Sequence, residues 1–343
     1  MEDFAYARAA SIDEAVAAMR NGARVVAGGT EFLNWLRLGI AVADQVVDVG
    51  RLDELRNIVI DGARLRIGAL ATLNEVGESA AVRAAAPVLA DACLKAASPQ
   101  LRNRGTLGGN ILQKTRCPYF RAEAAGANAM PWPCNKRVPE SGCAAKESRY
   151  PRLALFGWND RCVATQPSDP AVALAALDAI VEVASAERRR TIPMVEFHLT
   201  QEEAARAATG GQDGVVTENR LAAGELIVGF DIPIDAASRR SAYVKVRERE
   251  SYEYALVSAA AAVDVAGGRI RATRIALGSV AQKPWRLTEA ETELKGQLLD
   301  PATLDRALDQ ALAAARPVAG NEFKVTLARN AARRALLMAG GHA

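Results

Sequence analysis

Four cysteines in one irregular stretch are the residues whose chemistry stands out first. They are Cys117, Cys134, Cys143 and Cys162, with 16, 8 and 18 residues between them. Thiolates bind zinc and iron–sulfur clusters, and nearby prolines and glycines can fold a loop around a metal. The wide spacing matches neither a zinc ribbon nor a bacterial ferredoxin run. The residues alone predict a metal site and leave three alternatives open: a [4Fe–4S] cluster, structural zinc, or unpaired buried thiols.

Two glycine-rich loops form the second candidate for chemistry. They are Ala27-Gly28-Gly29-Thr30-Glu31 and Gly105-Thr106-Leu107-Gly108-Gly109-Asn110. Adjacent glycines let the main chain approach a ligand and point successive N–H groups at one anion, as a pyrophosphate requires. Neither loop follows the G-x-G-x-x-G pattern, so a Rossmann fold is not indicated. Taken alone, each loop is also compatible with a plain tight turn.

The remaining composition argues against several other kinds of site. The 343 residues include two histidines, His198 and His342, so a histidine-based metal site or a Ser-His-Asp triad lacks its material. No catalytic residue is predicted, and Cys93, on the face of a helix, is interpreted as a core residue. The formal net charge of +3 is spread along the chain, which favours a solvated surface over a nucleic-acid interface.

Apolar runs and the first residues bear on location. Residues 1–4 have neither a basic n-region nor an apolar h-region, and the longest apolar run, 254–263, is too short to cross a bilayer. We expect no membrane span and a cytoplasmic protein, whose reduced thiols bind metal rather than form disulfides. A periplasmic location stays open if a signal-bearing partner exports the folded chain.

The surrounding segments must position these residues. Before Asn110, short strands alternate with helices; a strand is predicted over 24–27 and an amphipathic helix over 87–97. From 113 to 163 no period is sustained, and five prolines accompany the four cysteines, so the stretch needs a functional explanation. Later segments are predicted as a helix over 170–177, strands over 179–184, 226–232, 242–247, 255–265 and 270–279, and helices over 284–295, 301–315 and 321–338.

Nine short segments carry a resemblance to a known family. They are Ala27-Gly28-Gly29-Thr30, Gln100-Leu101-Arg102-Asn103, Gly108-Gly109-Asn110, Arg116-Cys117-Pro118-Tyr119-Phe120, Pro133-Cys134-Asn135-Lys136-Arg137, Ser141-Gly142-Cys143-Ala144-Ala145, Pro167-Ser168-Asp169, Lys245-Val246-Arg247 and Lys283-Pro284-Trp285-Arg286. The chain resembles, over essentially its whole length, the FAD-binding subunit of the xanthine dehydrogenase family of molybdenum hydroxylases. It is most similar to the flavin subunit of bacterial aldehyde oxidoreductases that carry an additional [4Fe–4S] cluster. Relatives without the cluster join the Gly-Gly-Asn loop to the Ser-Asp element within a few residues, so the cysteine stretch resembles an insertion.

The resemblance implies which residues hold FAD. The pyrophosphate and adjoining parts would be wrapped by Arg24, Val25, Val26, Ala27, Gly28, Gly29, Thr30, Glu31 and Phe32. A second wall would come from Thr106, Gly109 and Asn110. Asp169 would accept from ribityl hydroxyls, Leu226 would contact the adenine portion, and Lys245 would lie near the isoalloxazine, where a cation stabilises the anionic reduced flavin.

The resemblance also bears on electron transfer. Cys117, Cys134, Cys143 and Cys162 would bind the [4Fe–4S] cluster. Tyr252 and Tyr254 would lie beside the flavin ring, where NAD-reducing relatives have an acidic and an aliphatic residue. NAD is therefore not the expected acceptor.

The implied fold class is α+β. A two-part FAD-binding domain of the vanillyl-alcohol-oxidase type would span 1–225, divided into 1–55 and 56–225, with the iron–sulfur insertion at 113–165. A C-terminal domain of antiparallel sheet with helices would span 226–343.

The implied function is that of an electron-transfer flavoprotein subunit in a heterotrimeric aldehyde oxidoreductase. A molybdenum-cofactor large subunit would oxidise the substrate, and a small [2Fe–2S] subunit would pass electrons to FAD. The external acceptor would be a ferredoxin, a quinone or oxygen. Three alternatives remain: the flavin subunit of a hydroxybenzoyl-CoA reductase-like enzyme, a self-contained flavin oxidase, and a zinc-stapled scaffold without flavin.

Overall fold

The computed structural model describes residues 2–123, 130–207 and 214–341. Residues 124–129 of the predicted insertion and His342 lie outside this range. The first elements in chain order are β1 (Ala5–Arg8), α1 (Ile12–Arg20), β2 (Arg24–Val26), α2 (Phe32–Arg37), β3 (Gln45–Asp48), a 3-10 turn (Asp53–Leu55), β4 (Ile58–Asp61) and β5 (Arg64–Gly68). They are followed by the short helices α3 (Leu73–Glu78), α4 (Ala80–Ala85), α5 (Pro87–Lys95), α6 (Pro99–Arg102) and α7 (Leu107–Ile111).

A three-stranded parallel sheet in the order β1-β3-β2 carries the first glycine loop. Successive residues of β3 face opposite sides of this sheet, because side chains alternate along a strand. Val46 packs with Phe32 and Leu36 on the side of α2, and Val47 packs with Val16 on the side of α1. The first glycine loop therefore leaves β2 at the edge of a sheet that is held from both sides.

A five-stranded antiparallel sheet forms the second part. Its further elements are α8 (Asp169–Ala176), β6 (Ile180–Ala184), β7 (Arg189–Pro193), α9 (Met194–Phe197), α10 (Gln201–Ala207) and β8 (Leu226–Pro233). The strand order is β4-β5-β8-β6-β7, so β8 is hydrogen-bonded on both sides at the centre of this sheet. The domain boundary predicted between residues 225 and 226 therefore falls ahead of a strand that belongs to this sheet.

The C-terminal part is an antiparallel sheet covered by helices. Its elements are α11 (Ala236–Arg239), β9 (Ser241–Val246), β10 (Val257–Ala266), β11 (Arg269–Gly278), β12 (Trp285–Arg286), α12 (Thr288–Leu294), α13 (Pro301–Leu312) and α14 (Phe323–Ala339). The order β12-β11-β10-β9 and the packed helices confirm the α+β prediction. The helix predicted over 284–295 begins only at Thr288, because Trp285 and Arg286 pair with β11. Within the described ranges, the helices are too short or too polar to cross a membrane.

The described part of the predicted insertion consists of turns and isolated bridges. Its last third is tied to the segment after β11, where the N–H groups of Leu155 and Phe156 both donate to the carbonyl of Val280. Lys324 of α14, fully buried, donates to the carbonyls of Leu153 at 2.8 Å and Ser279 at 2.6 Å. The C-terminal part thus anchors the end of the cysteine-bearing stretch.

Candidate functional site

The two glycine loops meet. A Cβ on Gly28 would lie 1.9 Å from the carbonyl oxygen of Arg104, and one on Gly105 would lie 3.6 Å from Thr30 Oγ1. Gly29 has a φ of +72°, which favours glycine. The close approach at Gly28 leaves no room for a side chain, so both loops present main chain at one place.

The second loop is held by its own cap and by the loop after β5. Thr106 Oγ1 accepts from the N–H of Gly109 at 3.1 Å, and the N–H of Gly108 donates to the carbonyl of Ala69 at 2.9 Å. Asn110 Oδ1 accepts from Ser168 Oγ at 2.7 Å. Asn110 and the Ser168-Asp169 element therefore meet across the insertion.

Asp169 is buried and fully engaged by protein groups. Its Oδ1 accepts from the hydroxyl of Tyr243 at 2.6 Å, and its Oδ2 accepts from Lys245 Nζ at 2.8 Å. Lys245 also donates to the carbonyl of Lys95 at 3.0 Å, and its side chain is 1% exposed. Tyr243 and Lys245 share a face of β9 because they are two residues apart. Burial raises the pKa of Tyr243, so the phenol stays a hydrogen-bond donor. The expected flavin-side carboxylate and cation thus bind each other.

Glu31, in the first glycine loop, is the centre of a cationic network. Its carboxylate accepts from Arg116 Nη2 at 2.9 Å, from Trp35 Nε1 at 2.7 Å and from Arg121. Burial acts to raise the pKa of Glu31, but the two guanidiniums outweigh it and hold that pKa below its usual value. The carboxylate is therefore ionised at neutral pH and held by these partners, and what the residue can offer a ligand is its main chain.

Arg116 links this loop to the cysteine stretch, because Cys117 follows it directly. Its guanidinium carbon lies 4.6 Å from the centroid of the Tyr254 ring, a cation–π contact. Burial raises the pKa of Tyr254. The Arg116 side chain thus contacts both Glu31 of the first glycine loop and Tyr254, the residue predicted beside the flavin.

The other residues predicted to hold FAD differ in exposure. Val26 and Phe32 are buried in the core beside α2, and Arg24 is exposed on β2. Leu226 is 8% exposed and belongs to the same apolar cluster as the partly buried Ala27. Leu226 therefore lies on the inner side of the first loop.

The four cysteines line one small cavity of about 20 Å³. Cys134 and Cys143 face each other across an isolated antiparallel bridge, whereas Cys117 and Cys162 are buried at 7% and 6% exposure. All four are free thiols. Cysteines far apart in the sequence thus line the same cavity.

Burial disfavours the ionised form of these thiols while no metal is bound. Burial raises the pKa of Cys117 to about 12 and that of Cys162 to about 11, and it also raises the pKa of Cys134. Hydrogen bonding from nearby main-chain groups opposes this rise, at Cys117 from Phe120 and Tyr119. Such thiols are unreactive when free, and metal binding ionises them.

A buried ion network borders the cavity. Lys136, one of the residues lining it, donates to Glu218 Oε1 at 3.0 Å and to the carbonyl of Val215 at 2.7 Å. Glu218 also accepts from Lys114 at 2.6 Å. Burial acts to raise the pKa of Glu218, but the two lysines hold it at about 2. Two lysines therefore share one carboxylate beside the thiols.

Among the described residues, no group of three or more His, Cys, Asp or Glu side chains is arranged to hold a single metal ion. A single ion needs ligands that converge on one point, whereas each thiolate of a cubane cluster binds an iron of its own.

Sequence reasoning missed several partners in this site. Tyr243 carried a local signal, since it lies two residues before the predicted Lys245 on the same strand face. Arg116 lay inside a segment that carried the resemblance. No local sequence pattern indicated Arg121 or Glu218. Arg121 is 90 residues from its partner Glu31, and Glu218 is 82 residues from its partner Lys136.

Comparisons with known proteins agree with this geometry. Residues 2–235 match the FAD binding domain in molybdopterin dehydrogenase, and residues 242–339 match the CO dehydrogenase flavoprotein C-terminal domain. The FAD-binding subunit of an aldehyde oxidoreductase from Escherichia coli (strain K12) is 38% identical over 332 residues, 96% of each chain. The carbon monoxide dehydrogenase medium chain of Hydrogenophaga pseudoflava is 26% identical, over 97% of this chain and 96% of the relative. A solved carbon monoxide dehydrogenase from that organism superposes with a TM-score of 0.73 at 25% identity, over 99% of this chain and 98% of that one. The chain therefore belongs to the FAD-binding medium subunits of the molybdenum hydroxylase family of oxidoreductases.

Proposed function

We propose that this chain is the electron-transfer flavoprotein subunit of a heteromeric aldehyde oxidoreductase. It would take electrons from a small [2Fe–2S] subunit and pass them through FAD to an external acceptor, while a molybdenum-cofactor large subunit oxidises the aldehyde. The 38% identity with the aldehyde oxidoreductase subunit over nearly the whole chain supports the substrate class. The observation that carries the proposal is the meeting of the two glycine loops at Gly28 and Arg104.

FAD fits the groups gathered there. Main-chain N–H groups of the two loops suit the pyrophosphate, since no side chain intervenes at Gly28. The remaining predicted contacts stay as proposed: Arg24, Val25, Val26, Ala27, Gly29, Thr30, Glu31 and Phe32 in the first wall, Thr106, Gly109 and Asn110 in the second, and Asp169, Leu226, Lys245 and Tyr254 around them. When bound, FAD supplies a centre that accepts and releases electrons. The paired Asp169 and Lys245 hold the surrounding main chain in place.

We further propose that Cys117, Cys134, Cys143 and Cys162 bind a [4Fe–4S] cluster. The cavity that the four cysteines share supports a metal-bound state. The contact of Arg116 with both Glu31 and Tyr254 supports a location close to FAD. A redox centre next to a flavin serves electron transfer, which a structural zinc ion does not.

The test is the composition and visible spectrum of the purified chain. We expect one FAD, about four irons and matching acid-labile sulfide per chain. The isolated chain should reduce dyes after chemical reduction but should turn over no aldehyde. A colourless protein, or one that holds zinc in place of iron, would contradict the cluster assignment, and aldehyde turnover without partners would contradict the subunit role.

A pair of matched variants separates the two sites. Cys134→Ser removes one predicted ligand, so the iron and sulfide should fall while FAD stays bound. Cys93→Ser is the control, because Cys93 is buried in another core cluster and lies away from the cavity. Iron loss that is equal in both variants would indicate misfolding rather than loss of a ligand.

A further inference from the structure

The cysteine stretch carries more positive charge than the whole chain. Residues 113–165 contain nine Lys and Arg and four Asp and Glu, a formal charge of +5 against +3 for all 343 residues. The residues outside this stretch therefore carry a slight negative formal charge. A positive excess confined to one folded segment calls for an anion within that segment, because like charges repel most strongly where water is excluded.

The contacts around the cavity show where this excess lies. Lys114 and Lys136 share the single carboxylate of Glu218, and Lys136 is the more deeply buried lysine, with 5% of its side chain exposed. This group therefore has two cations and one carboxylate, an excess of one positive charge. Lys136 also lines the cavity, two residues after Cys134.

Three further cations belong to the same stretch: Arg116, Arg121 and Arg137. Arg116 and Arg121 share Glu31, again two cations for one carboxylate. Arg137 donates to main-chain carbonyls, at 2.8 Å to Phe120 and at 3.0 Å to Leu38. Carbonyls solvate a guanidinium without neutralising it.

Four neutral thiols do not balance these cations. A [4Fe–4S] core held by four thiolates does, since the thiolates outweigh the positive core and leave a dianion in the oxidised state. Reduction adds one electron, which the [2Fe–2S] subunit or a chemical reductant supplies; no bond forms or breaks and no proton moves. The reduced state carries one more negative charge and gains more from a neighbouring cation.

We propose that Lys136 sets the reduction potential of this cluster: its buried ammonium stabilises the reduced state, and Glu218 anchors the lysine and moderates its effect. This inference rests on the proposed [4Fe–4S] site. Lys136 acts here as a fixed charge. Hydrogen bonding and charge around a cluster are among the features that set its potential.

The experiment is a redox titration of the purified chain, followed by electron paramagnetic resonance of the reduced cluster. Lys136→Gln removes the positive charge, so the ratio of reduced to oxidised cluster at a fixed potential should fall at least about tenfold, which is 59 mV for one electron. Lys136→Arg keeps the charge and should stay near wild type. Glu218→Gln removes the opposing charge and should shift the potential upward.

The opposite signs make the result decisive. Two changes that merely loosen the same ion network would shift the potential in the same direction or leave it unchanged, and either result would overturn the inference. If Lys136→Gln loses its iron, the upward shift in Glu218→Gln and the unchanged potential in Lys136→Arg carry the test. Wild-type protein without iron and sulfide would instead refute the cluster assignment itself, and iron analysis before titration distinguishes the two failures.

Discussion

Glu31→Gln removes the charge that joins the first glycine loop to the cysteine stretch while keeping the size of the side chain. Its two guanidinium partners are largely buried, with 22% of Arg116 and 14% of Arg121 exposed. Removing one partner of a fully buried ion pair costs about 3–5 kcal/mol. The carboxylate here is 17% exposed, and Arg121 keeps its bonds to the carbonyls of Thr115 and Lys114. We therefore expect the free energy of unfolding to fall by about 2–3 kcal/mol.

The assay combines urea unfolding with FAD and iron content. Glu31 lies in the first glycine loop and Arg116 adjoins Cys117, so both FAD affinity and iron content should fall together. Glu187→Gln is the matched control, because the Glu187 side chain is 69% exposed and lies 3.6 Å from Arg20. An exposed pair of this kind contributes about 0–1 kcal/mol, and neither cofactor should respond.

The pH dependence supplies an internal check. The folded pKa of Glu31 lies below its unfolded value of 4.5, so its contribution is complete above pH 4.5 and is lost as the pH falls through the folded pKa. The difference between wild type and Glu31→Gln should therefore shrink in acid. A variant as stable as wild type at pH 7 would refute the stabilising role, and lost stability with unchanged FAD and iron would refute the coupling of the two sites.

Two further predictions concern the buried histidine and the contact between the glycine loops. Burial lowers the pKa of His198 to about 4 from 6.5, so the folded state binds fewer protons between these values and stability rises by up to about 3 kcal/mol from pH 4 to pH 6.5. His198→Gln keeps an N–H that can donate to the carbonyl of Ile111. In urea unfolding, this variant should lack the rise in the free energy of unfolding between pH 4 and pH 6.5. A variant that still shows the wild-type rise would contradict the assignment of this pH dependence to His198. Gly28→Ala places a Cβ 1.9 Å from the carbonyl oxygen of Arg104 and should weaken FAD binding about tenfold or more, whereas Gly105→Ala, with its nearest contact at 3.2 Å, should have a smaller effect. Equal FAD affinities in the two glycine variants would mean that the loops need not touch to bind FAD.

Local features of the sequence predicted much of the secondary structure. Ser11 caps α1 by accepting from the N–H of Glu14, and Thr72 forms a capping box with Glu75 at the start of α3. Such features depend on residues three or four positions apart, so a short window contains all the information. The cysteine stretch was predicted for the related reason that the helical and strand periods disappear there.

Long-range pairing could not be predicted in this way. The implied domain boundary between residues 225 and 226 assigned β8 to the C-terminal part, yet the partners of β8 are β5 and β6. Nothing within β8 specifies that it lies between them, since both faces of a central strand are apolar. The same limit applies to Lys136 and Glu218, which are 82 residues apart.

A structural role and an electron-relay role for the proposed cluster lead to different expectations. The cavity is fixed by links that do not require a cluster: Gln282 donates to the carbonyl of Cys162 at 3.1 Å, and Arg137 donates to the carbonyl of Leu38. A cluster that served only to hold the fold would be stabilised by the buried positive charge in either oxidation state, so its role would not depend on its reduction potential. An electron relay does depend on its reduction potential, because that potential must allow electrons to enter from the donor and leave to the acceptor. If electrons pass through the cluster, the rate of acceptor reduction should follow the potential across Lys136→Gln, wild type and Glu218→Gln, and if the cluster is structural, the rate should remain constant while the potential moves.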